Sequence, residues 1–72
     1  MVQGAKWKVI HITRSLENAN RLLFALEQEG FMARSRQVSH TLSSDENDYE
    51  IMVPRAEAME AHQLLIENNL LL

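Results

Sequence analysis

A helix with well-marked ends lies between two strand-like stretches, and this arrangement constrains the fold more than any other feature of the chain. Ser15 is a good N-cap, and Glu17 sits in the first turn, where a carboxylate meets the positive end of the helix dipole. Gly30 stands where a helix closes in the left-handed conformation. Between them Leu16, Ala19, Leu22, Leu23 and Leu26 recur at helical spacing and form one apolar stripe. Phe24 falls about opposite that stripe, as a scattered surface aromatic or as part of a contact.

The flanking segments read as strands. "KWKVIHI", residues 6–12, is rich in β-branched and aromatic residues. Its register is open: either Ile10 and Ile12 face the core, or Trp7 and Val9 do. The favoured choice turns the isoleucines inward and leaves Trp7, Val9 and His11 on the opposite face. After the helix, "FMARSRQV" opens a second strand at Phe31, with Phe31, Ala33 and Ser35 on one side and Met32, Arg34 and Arg36 on the other. A third strand over 49–53 puts Tyr49, Ile51 and Val53 on one face, with Glu50 and Met52 opposite. Pro54 stops it and pre-sets the backbone for a second helix, "RAEAMEAHQLLIENN". That helix has Ala58, Ala61 and Leu65 as its inner stripe, Leu64 at the margin and Asn69 as its stop.

The order is strand, helix, strand, strand, helix. Right-handed crossover puts both helices on one face, and the economical sheet order is 1-3-2, antiparallel throughout. The expected fold is therefore an α+β, ferredoxin-like βαββα sandwich with a three-stranded sheet. Residues 70–72 form an apolar tail, or a short fourth strand beside the first. Residues 1–5 are expected to be a flexible lead-in and 6–69 one domain, since 72 residues leave room for no second core.

A chain this short buries only roughly 60% of its unfolded surface, and with no cysteine it has no disulfide or thiolate metal site to help. Self-association as a homodimer is the expected remedy. Ten acidic against seven basic residues, net charge −3, argue against a broad nucleic-acid face. No apolar run approaches the roughly 20 residues of a membrane helix, and residues 1–6 lack a signal-peptide core, so a soluble, cytoplasmic chain is expected.

The segments "WKVI", "LEQEGF", "YEIMVP" and "AEAMEAHQLL" together resemble a family of small prokaryotic proteins described as signal-transducing, a domain of unknown function. The shared parts are Val9 and Ile10, Glu29-Gly30-Phe31, Val53-Pro54, and Ala58 with Ala61 and Leu65, over about residues 6–66. Arg14 stands where members often have Pro, and the hairpin loop is longer here. The resemblance implies a ferredoxin-like fold and a regulatory role in a bacterium. Its motifs are structural and bring no catalytic residue. Short chains of this look are sometimes labelled glutamate decarboxylase. A pyridoxal-phosphate enzyme needs a Schiff-base lysine and an enclosed pocket; only Lys6 and Lys8 are present, at the start of a strand.

Little else carries chemistry. "SSDENDYE" (43–50) has four acidic residues but lacks the calcium-loop pattern: counting from Asp45, the sixth residue is Glu50 rather than Gly and the twelfth is Ala56 rather than Glu. It reads as a solvated hairpin loop. His11, His40 and His62 lie on different elements without metal-ligand spacing, so no metal and no cofactor is expected. Ser15, Ser35, Ser39, Ser43 and Ser44 have cap, strand or turn explanations, and there is no glycine-rich phosphate loop.

What remains is surface. The sheet's outer face is expected to carry Trp7, His11, Arg34, Arg36 and Met52 as a half-apolar platform, with Glu50 pairing one of the arginines. The expected function is a non-enzymatic regulatory or interaction module, with a protein partner or a second copy on this face. The alternative is a sensor whose small anionic metabolite is held by Arg34 and Arg36, on the face or between subunits.

Overall fold

Ser15 caps the first helix through its side chain: the Oγ accepts the Asn18 N–H at 3.0 Å. The preceding residue pair is tied in as well, since Thr13 Oγ1 accepts from the Ser15 N–H at 3.3 Å and from Asn18 Nδ2 at 3.0 Å. The computed structural model describes residues 6–39 and 47–71 of the chain. Within them run β1 (Trp7–Thr13), α1 (Leu16–Gln28), β2 (Arg34–Ser39), β3 (Asn47–Pro54), a 3₁₀ turn (Arg55–Glu57) and α2 (Ala58–Glu67). The expectations for residues 1–5, for His40, Ser43, Ser44, Asp45 and Glu46 of the acidic loop, and for Leu72 lie outside the described residues.

The sheet has the order β1-β3-β2 with both pairings antiparallel, so the α+β, ferredoxin-like layout read from the sequence is the one adopted. Both helices pack on one face. The core joins Ala19, Leu22 and Leu26 of α1 to Ile51 and Val53 of β3 and to Ala58, Ala61 and Leu65 of α2. Small alanines at 58 and 61 let α2 approach the sheet closely. Leu64 is half-buried, as its marginal position predicts.

Both helices end in the same closure. At α1, Gly30 (φ +92°) donates its N–H to Glu27 O and Phe31 donates to Leu26 O, each at 3.0 Å. At α2, Asn69 (φ +56°) donates to Ile66 O at 3.1 Å and Leu70 to Leu65 O at 2.9 Å. These are Schellman motifs, in which the residue after the left-handed one returns to cover the last turn. At α2 the closure turns Leu70 and Leu71 onto the core, where they are partly buried. Residues 68–71 are therefore a turn, and among the described residues no fourth strand forms.

Three other expectations need correction. Leu16 is 54% exposed, because it holds the first helical position, one turn ahead of Ala19, where the core has ended. β2 starts at Arg34 rather than Phe31. Continued back from Arg34↔Met52, the pairing would oppose Met32 to Pro54, which has no N–H to give and ends β3. The Met32 N–H goes instead to Glu57 Oε1 at 3.3 Å. Finally, Ile12 is 51% exposed. The register of β1 slips between Val9 and His11, so Val9 opposes Met52 while His11 opposes Ile51. Ile10 is the extra residue of a bulge, and beyond it every side chain of β1 changes face.

Candidate functional site: an uncovered sheet face and an edge groove

Residues directly opposite in an antiparallel ladder share a face. Ile51 and Val53 point to the helices, so Glu50, Met52 and Pro54 point away, and the register fixes their neighbours. Trp7 lies beside Pro54, and Val9, Met52 and Arg34 form one row across the sheet. Ile12, Glu50 and Arg36 form the next row. Among the described residues no helix covers this face.

The face unites four of the five residues singled out in the sequence: Trp7, Arg34, Arg36 and Met52. Arg34 lies over the Trp7 ring, its guanidinium carbon 4.7 Å from the centroid. Arg36 donates from Nε and Nη2 to Glu50 Oε1, the Nε contact at 3.0 Å. Its side chain stays 60% exposed while that of Glu50 is 19% exposed. At the far end Arg14 Nε stands 3.8 Å from Asp48 Oδ1. The centre of the face is thus apolar (Val9, Ile12 and Met52), and of the two arginines beside it Arg36 is already paired with a carboxylate.

His11 does not belong to this set. The bulge turns it to the helix side, opposite Ile51, and Ile12 takes its expected place on the outer face. There His11 senses His62 of α2. Its pKa is held below the ordinary histidine value, first by burial and second by the charge of His62.

Beside this pair lies a feature that the sequence did not disclose. An open groove of about 440 Å³ runs between the β1 edge and α2, lined by Lys8, Ile10, Arg55, Ala58, Met59 and His62, with Val9 at its rim. Arg55, Met59 and His62 fall four and three residues apart and follow one side of the 3₁₀ turn and α2. The Arg55 N–H donates to Lys6 O at 2.7 Å, which holds the start of α2 against the start of β1. Pro54-Arg55 was legible as a helix start, but its approach to Lys8 depends on the 1-3-2 pairing and could be found only after the register was known.

Among the described residues no three His, Cys, Asp or Glu side chains gather closely enough to hold a metal ion, and no helix is long and apolar enough to cross a membrane. No protein-family model matches the chain, and the searches of curated proteins and of solved structures gave no match either.

Proposed function

We propose that this chain is a small non-catalytic regulatory or interaction module that works through the outer face of its sheet, with a second copy of itself as the partner. One observation carries this: the face opposite the helices has an apolar centre of Val9 and Ile12 from β1 and Met52 from β3, with Arg34 of β2 lying over Trp7 beside it. Such a patch on so small a domain favours burial against another protein surface. A symmetric pair would cover it with the same residues from both sides.

Face packing is favoured over edge pairing. β1 is an edge strand, but its bulge and the charges of Lys6 and Lys8 are the devices that discourage strand addition. The resemblance to signal-transducing proteins supports a regulatory role in a bacterial cytoplasm. A metabolite held by Arg34 and Arg36 is less favoured, since Arg36 already has Glu50 and Arg34 is seated on Trp7.

Sedimentation of the purified chain over a concentration series tests the proposal. A dimer is expected, and Met52→Glu, at the centre of the face, should return it to monomer with unchanged far-ultraviolet circular dichroism. A chain that is monomeric at every concentration, or a dimer indifferent to Met52→Glu, would refute it.

A further inference from the structure

We propose that the groove between β1 and α2 binds a small organic carboxylate, with the charge held by Lys8 and Arg55 and the apolar body lying along Ile10, Ala58 and Met59. This is a second surface, separate from the outer sheet face.

Three observations converge on it. The first is charge. The chain is net negative, yet the groove is lined by Lys8, Arg55 and His62 and by no acidic residue. Among the described residues neither Lys8 nor Arg55 has a carboxylate within ion-pair distance, whereas Arg14 and Arg36 both do. An arginine fork and a lysine ammonium lining one groove from two elements suit a carboxylate, the first by planar geometry and the second as a point charge.

The second is the apolar floor. Among the described residues Met59 is the most exposed large hydrophobic side chain, at 84%, and it lines the groove between Arg55 and His62 in the sequence. A flexible thioether there can fold over a bound aliphatic or aromatic body. Ile10, the bulged residue, and Ala58 supply the wall behind it. The volume of about 440 Å³ falls within the range of small-molecule sites.

The third concerns what the groove is unsuited to hold. A phosphate cradle is commonly built from successive backbone N–H groups in a glycine-rich turn, and no glycine lines this groove. A peptide strand would have to pair with β1, where the bulge breaks the ladder. An amphipathic monoanion fits both ends of the lining without either requirement.

The test is an amide-resolved NMR titration of the full chain with 4-phenylbutyrate, with 4-phenylbutanol and inorganic phosphate as controls. Saturable shifts are expected with 4-phenylbutyrate at Lys8, Ile10, Arg55, Met59 and His62, at an affinity that neither control reaches. Lys8→Gln combined with Arg55→Gln, both at exposed positions, should weaken binding about tenfold or more with the fold retained. Met52→Glu should leave binding unchanged, so a failed outer-face dimer and a failed groove are told apart. The inference is overturned if the alcohol binds as well as the acid, or if phosphate binds as well. It is equally overturned if the shifts map to Trp7, Arg34 and Arg36, or if no saturable shift is seen.

Discussion

Arg34 reaches over the central strand to stack on Trp7, so side chains from the two opposite edges of the sheet meet above β3. The contact acts as a strap across the uncovered face. A double-mutant cycle of Trp7→Leu and Arg34→Met, read by urea unfolding, should show a coupling of about 0.5–1 kcal/mol, the range for cation–π pairs at exposed sites. Additive effects would mean that the two side chains are merely adjacent.

The position of His11 sets a pH dependence. Its pKa lies below the ordinary value in the folded protein, so near and below that value the unfolded chain binds more protons than the folded one. Its contribution is fully present above about pH 6.5 and is lost as the pH falls below the unfolded value and through the lowered folded one. Stability should therefore decline on acidification from neutral. His11→Gln should flatten that decline, and denaturation midpoints that track the parent at every pH would show that other groups cause it.

The two helix closures respond differently to glycine. Gly30→Ala meets no neighbouring atom within 4 Å, but φ +92° strains any Cβ, and a loss of about 1 kcal/mol is expected. Asn69→Gly relaxes a left-handed asparagine and should leave stability unchanged or raise it by a few tenths of a kcal/mol (roughly). Thermal midpoints moving the same way in both variants would contradict the assignment.

Two leucines of one predicted stripe should behave unlike each other. Leu22 is fully buried, and Leu22→Ala should cost about 2–5 kcal/mol, a large share of the stability of so small a domain. Leu16, half-exposed beyond the core, should tolerate alanine within about 0.5 kcal/mol. Urea midpoints of the two variants make the comparison directly.

These contrasts indicate what local sequence can convey. The cap at Ser15, the stop at Gly30, the inner stripe of Ala58, Ala61 and Leu65, and the alternation of Tyr49, Ile51 and Val53 depend on neighbours a few residues away. All were legible, and the sheet order followed from them. Pairing of Arg36 with Glu50 was legible as well, as one of two choices, because alternation put both on one face. Ile12 and His11 were not, because nothing in "VIHI" marks the residue at which β1 slips against β3. Two-residue periodicity assumes an unbroken ladder, and a bulge breaks it without a glycine or any other local signal. The groove beside α2 was hidden for another reason: the favoured register already turned Ile10 to the helices, but which residues of α2 lie beside it depends on how the helix crosses the strand.

The slip at Ile10 has a further consequence for how such a strand can change over time. The pairings on its two sides meet consecutive residues of β3, so the extra residue is taken up without exchanging either surface. Removing Ile10 while keeping Trp7 against Pro54 would leave a regular ladder, with His11 still opposite Ile51 and Ile12 still opposite Glu50. The first strand should therefore tolerate the loss of one residue at Ile10, while its other positions admit replacements rather than length changes. In descendants of this sequence the distance from Trp7 to Thr13, where it changes, ought to change by the single residue at Ile10.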